Sequence, residues 1–228
     1  MKKIFSVFLI LLLVSGCGNL GSQLKDNMQI ALELKKEFEA DAVDMNTSKS
    51  GNSNSVEINL TNPSLARSQG YQADYIANAV AVEAYKHGGK TATAMTVNMK
   101  SNSGDSRFSF DQKLLTNYTL SEAVAESYLM ALCDKDKNTM LKLGDPEYLG
   151  ESSLQQALDL AAKNLQTKDH IAGVQILRIF DSNITNTVIP IHIICYKVTF
   201  KSGASKICDM FVRCDNEQTH LVSGFDLR

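Results

Sequence analysis

The chain has 228 residues and a formal net charge of −2, with 23 Lys and Arg against 25 Asp and Glu. That balance leaves no overall excess of positive charge to neutralise phosphates, and so disfavours a nucleic-acid binder. Hydrophobic residues at 44% and charged residues at 21% are an ordinary folded composition, with apolar material for one large domain or two small ones.

Lys2 and Lys3 precede an apolar run from Ile4 to Val14, broken only by Ser6, and small Ser15 and Gly16 follow. This is the outline of a secretory signal peptide over residues 1–16. As a helix at about 1.5 Å per residue the run covers roughly 16 Å, short of the ~30 Å hydrocarbon core, which disfavours a permanent transmembrane helix. Val14-Ser15-Gly16-Cys17 resembles the lipobox of bacterial lipoproteins. The resemblance implies a diacylglycerol thioether on Cys17, cleavage before it and, commonly, acylation of the new amino group. The alternative is an ordinary secreted protein whose cleavage site lies near a cysteine. Several acyl chains, at about 0.8 kcal/mol per buried methylene, would make release from the membrane slow. Gly18 stands where an aspartate would imply inner-membrane retention, so the resemblance implies the periplasmic face of the outer membrane if the source is Gram-negative.

After a lipidated tether over 17–23, the pattern divides into α+β modules over 24–115 and 116–228. In the first, helical spacing predicts a helix from Leu24 to Ala42 with Leu24, Met28, Ala31, Leu32, Phe38 and Ala42 on its apolar face. Asn46 to Ser55, NTSKSGNSNS, is rich in Ser, Asn and Gly and reads as a mobile loop. Val56, Ile58 and Leu60 alternate as a strand, and Ile76, Val80 and Ala84 mark a helix over Ala73 to Lys86 that Gly88-Gly89 stops. Thr91 to Met99 and Arg107 to Leu114 read as strands, giving the order α-β-α-β-β.

In the second module Thr119 and Glu122 have the spacing of a capping box, placing a helix start at Thr119. Met140 to Leu143 makes a short second helix, and Leu154, Leu158, Ala161, Ala162 and Leu165 mark a third. Four strands follow, over Val174–Phe180, Val188–Phe200, Lys206–Cys214 and Thr219–Leu227, separated by short turns. Three helices followed by a meander imply helices packed on one face of an antiparallel sheet. This order, with "SEAVAESYLMAL", "CDKD", "YKVTFKSGASKICDMFV" and "LVSGFDL", resembles the nuclear-transport-factor-2-like fold carried by small bacterial lipoproteins. The resemblance implies a cone between helices and sheet, and that fold fixes no single function.

Besides Cys17 the chain holds Cys133, Cys195, Cys208 and Cys214, and an exported protein meets an oxidising compartment. Cys195 and Cys208 flank a hairpin and form a candidate disulfide, provided the register aligns them; four buried thiols are the alternative. Spacing supports no zinc or other metal site, since no Cys-x-x-Cys occurs and the histidines are unpaired at helical spacing. Asp134, Asp136, Asp145 and Glu147 lack calcium-loop order and read as a solvated turn. His192 reads as a hydrogen-bonded strand residue or, with Tyr128, Tyr196 and Phe211, as the lining of a ligand cone. No Gly-x-Ser-x-Gly elbow or His-Glu-x-x-His helix is present, although residue order alone does not exclude a Ser-His-Asp site. The sequence therefore favours a non-enzymatic lipoprotein without cofactor beyond its acyl lipid, held at the membrane and binding a protein or envelope component. The alternative is a carrier of a small apolar ligand.

Overall fold

The computed structural model describes residues 25–67, 72–89, 91–102, 104–184, 187–216 and 219–228. The leader, Cys17 and Leu24 lie outside these residues. Helix α1 covers 25–37. It is followed by strands β1 (Ala42–Ser50) and β2 (Ser53–Thr61), helix α2 (Ala73–Ala84) with a π-helical turn Tyr85–Gly89, and strands β3 (Ala94–Ser101) and β4 (Gly104–Asp111). Then come α3 (Gln112–Asp134), α4 (Lys137–Leu143) and α5 (Glu151–Asn164), and strands β5 (Ile171–Asn183), β6 (Pro190–Phe200), β7 (Ser205–Asn216) and β8 (Thr219–Leu227). The α+β class expected from the sequence is therefore observed.

The first sheet has the order β1-β2-β3-β4, with β2 and β3 parallel and the outer pairs antiparallel. A parallel pair needs a long crossover, and α2 supplies it. The second sheet is an antiparallel meander, β5-β6-β7-β8. Helix α2 packs on β3 and β4 of one sheet and on β5 of the other. Its Ala77, Ala79, Val80, Ala81 and Val82 are all buried, the composition of a helix enclosed on every side. Asn78 Nδ2 donates to the Ile179 carbonyl at 2.9 Å, covering part of the open edge of β5. One apolar core runs through Ile58 and Val97, Val80, Leu129, Ile194 and Met210, joining both sheets.

Three local expectations are corrected. The stretch expected as a loop, Asn46–Ser55, is most of a hairpin: β1 pairs with β2 from Ala42↔Thr61 to Ser50↔Ser53, and Gly51 takes φ +59° in the two-residue turn. As a sheet-edge strand with few apolar side chains, β1 is held by its main-chain ladder and gives little hydrophobic signal. In α1 the buried face is Ile30, Leu34 and Phe38, whereas Met28 and Leu32 are 65% and 61% exposed. Finally, α3 begins at Gln112, where Asp111 Oδ1 accepts from Leu114 N at 2.7 Å. Arg107–Leu114 is thus a strand only to Asp111, and Thr119 lies mid-helix, its hydroxyl donating to the Leu115 carbonyl at 2.7 Å.

Candidate functional site

The buried positions Leu115, Tyr118, Ser121, Glu122, Ala125, Tyr128, Leu129 and Leu132 recur at helical spacing and turn one face of α3 toward the second sheet. On β6 the alternation sends His192, Ile194, Tyr196 and Val198 toward that helix. Asp181 of β5 lies opposite His192 in the ladder, and His220 of β8 is buried nearby.

These elements meet at Ser121. Its Oγ is 2.7 Å from His192 Nδ1 and 2.7 Å from His220 Nδ1. His192 Nε2 is 3.5 Å from Asp181 Oδ1, and Tyr118 Oη donates to Asp181 Oδ2 at 3.1 Å. The Tyr118 ring meets the His192 ring edge to face, centroids 4.8 Å apart. A hydrogen on His192 Nε2 suits the neighbouring carboxylate, so Nδ1 accepts from the Ser121 hydroxyl. Ser121 Oγ in turn accepts from His220 Nδ1–H, giving a directed chain from His220 through Ser121 and His192 toward Asp181. Burial holds the His192 pKa well below the ordinary imidazole range, against the pull of Asp181 and with added repulsion from His220.

The chain has Ser-His-Asp composition, but its exposure is inverted. Ser121 is 0% exposed, while the Asp181 side chain is 65% exposed. A serine nucleophile needs an accessible hydroxyl and gains from a buried carboxylate that orients the histidine. Here the hydroxyl is sealed under α3 and the carboxylate faces solvent, so the arrangement fastens α3 to β6 and β8 and does not present the Ser121 hydroxyl to a substrate. Above it, between the start of α3 and the ends of β5, β6 and β7, opens a cleft of about 440 Å³ lined by Asn117, Asp181, Asn183, Pro190, His192 and Cys214. Burial, with Asp181 adding to it, pushes the Cys214 thiol up to about 11, so it is not a thiolate nucleophile at neutral pH.

The four residues expected to line a cone do not form one cavity. Tyr128 and Tyr196 fill the space beneath α3, and Tyr196 Oη donates to the Glu122 carbonyl at 3.1 Å. His192 reaches the cleft, whereas Phe211 stands opposite Ile193 and so lies on the other face of the sheet. There it lines a smaller groove of about 250 Å³ with Tyr148, Ile184, Ile191 and Ile193. The candidate bridge fails for the same reason of parity. Cys195 pairs with Asp209 and Cys208 with Tyr196, one residue out of register, so their side chains leave opposite faces and both thiols are free.

The acidic residues expected in one solvated turn are dispersed. Asp136 caps α4, Asp134 pairs with Lys168, and Asp145 is buried against Arg213 at 3.1 Å. Arg213 also holds Glu147 at 3.2 Å and Asp215 at 2.8 Å, tying the loop after α4 to β7. Among the described residues no three His, Cys, Asp or Glu are grouped to hold a metal.

A second polar cluster, absent from the sequence reading, lies where α1, α2 and α3 meet. Lys86 Nζ is 3.2 Å from Glu83 and 3.0 Å from Glu122, both buried, and His87 lies 3.3 Å from Glu83 and 3.5 Å from Glu33. Burial, reinforced by Glu83, pushes Glu37 up to about 8, and burial outweighs Lys86 to push Glu122 up to about 7. The Lys86 pKa is raised because Glu83 and Glu122 overcome the opposing effect of its burial. Glu83, Lys86 and His87 stand at i, i+3 and i+4, but Glu33, Glu37 and Glu122 come from other helices, and no local spacing signals that meeting.

Against known proteins, residues 1–17 match the family model described as the prokaryotic membrane lipoprotein lipid attachment site. No curated protein and no solved structure is significantly similar to the chain. The match supports a bacterial lipoprotein, lipid-anchored to a membrane of the cell envelope. No helix among the described residues is long and apolar enough to cross a membrane.

Proposed function

We propose that the protein is a non-enzymatic, lipid-anchored recognition module that binds a protein or other envelope component outside the cytoplasm, using the cleft above His192. The observation that carries this reading is the inverted chain, with Ser121 sealed and Asp181 exposed beside the cleft. The lining suits an extended polypeptide: Asn117 and Asn183 offer amide donors and acceptors to a main chain, and Asp181 offers a carboxylate to a basic side chain. A photo-crosslinker in place of Asn117, activated in intact envelopes, is expected to capture a saturable partner whose yield falls about tenfold (~1.4 kcal/mol) with Asp181→Asn. Capture that does not saturate, or that is indifferent to Asp181→Asn, overturns the reading. Gly18 after the lipidated cysteine supports the periplasmic face of the outer membrane in a Gram-negative source; recovery with inner-membrane fractions on density separation would contradict it.

The apolar groove of Ile184, Ile191, Ile193 and Phe211 favours a second reading, a carrier of a small apolar ligand. It predicts a rise in melting temperature with such a ligand, abolished by Phe211→Asp. A broad ligand screen without any shift removes it. The order of α3, α4 and α5 followed by the β5–β8 meander supports a nuclear-transport-factor-2-like C-terminal half, its interior filled by Tyr128 and Tyr196.

A further inference from the structure

The apolar face of α1 turned to solvent stands close in the chain to the lipid attachment site. Met28 and Leu32, one turn apart, are more exposed than any other large apolar side chain on a described helix. At about 100° per residue, Lys25, Lys35 and Lys36 project on the same side as this pair, while Asp26 falls about 160° from Met28. All three lysines are exposed. Glu39 lies beyond the helix and Glu33 turns toward His87. The opposite face, Ile30, Leu34 and Phe38, is consumed by the core, so α1 is apolar on two sides, with only one of them covered among the described residues. Residues 18–24 separate Cys17 from α1, and at about 3.5 Å per residue they reach at most roughly 25 Å.

We propose that α1 lies on the anionic phospholipid surface that holds Cys17, with Met28 and Leu32 in the acyl boundary and Lys25, Lys35 and Lys36 against the headgroups. The short tether supplies a high local concentration of membrane, which lets a two-residue apolar contact and three cations engage where they would be too weak for a free protein. Anchor and helix together then fix which way the domain faces. The proposal rests on lipidation at Cys17.

The chain contains no tryptophan, so Leu32→Trp installs a single reporter on this face, with Met28→Trp as a second reporter and Leu160→Trp on α5 as the reference. The lipidated full-length protein is reconstituted into vesicles of phosphatidylcholine and phosphatidylglycerol, its association read by flotation and tryptophan depth by quenching with brominated acyl chains. The expected result is flotation with blue-shifted emission at 28 and 32, quenched several-fold more than at 160. Exchanging Lys25, Lys35 and Lys36 for Gln is expected to weaken the quenching. Flotation with water-like emission at both 28 and 32 overturns the docking while leaving the anchor intact. Blue-shifted emission without bromine quenching also overturns it, because a second protein copy then covers the face. Failure to float removes both the docking and the anchor.

Discussion

Ser121 joins two imidazoles, and its single hydroxyl satisfies one nitrogen of each. Ser121→Ala removes the shared oxygen and leaves both nitrogens in a dry setting, so a loss of about 1–3 kcal/mol is expected in denaturant unfolding. A neutral result would mean the hydroxyl bonds neither ring. Because burial holds His192 neutral, the unfolded chain takes up a proton near pH 6.5 that the folded chain refuses until lower pH. Its contribution is complete above that range and is lost as pH falls from about 6.5 toward the lowered pKa. Glu37 and Glu122 act in the opposite sense. Their raised pKa values let the folded chain keep protons that an unfolded one releases near pH 4.5, so their contribution is complete below about 4.5 and is lost as pH rises through about 7 to 8. Between about pH 4.5 and 6.5 the two effects oppose each other, so the clearest expected change is a fall in stability above about pH 6.5, which Glu37→Gln should flatten. An unchanged alkaline slope in that variant would show that Glu37 holds no proton there.

At the scale of elements, the start of α3 separates two readings of one stretch. Asp111→Ala should cost about 1 kcal/mol because it removes the cap on Leu114, whereas Thr119→Ala, at a mid-helix position, should be nearly neutral. The reverse ranking would restore a helix start at Thr119. The capping box there is a true pattern that a stronger one overrides: Leu115, Tyr118 and Glu122 continue the buried face back toward Asp111. Helix α1 was legible as a helix, but its orientation was not. Met28 and Leu32 share one helical stripe, Ile30, Leu34 and Phe38 another, and periodicity cannot say which of two stripes the core takes. β1 escaped notice because a polar edge strand is defined by its ladder and not by its side chains.

For the whole molecule, the alternation of strands and the period of helices disclosed the α+β class and the meander, since those patterns record which face is buried. The candidate site was legible only in its parts. His192 could be placed on an inward strand face, yet its meeting with Ser121, His220 and Asp181 depends on how α3 crosses three strands. Strand parity also parted Phe211 from Tyr196 and Cys195 from Cys208, and no local spacing specifies a register. What the leader does carry is an address, and the lipid on Cys17 is the claim on which the envelope role depends. Its most direct test is the intact mass of protein extracted from membranes without reduction, before and after thiol alkylation under denaturing conditions. The expected mass is that of Cys17–Arg228 plus acyl chains, with Cys133, Cys195, Cys208 and Cys214 all alkylated. An unlipidated mass would contradict the anchor, and a missing alkylation would contradict the free thiols.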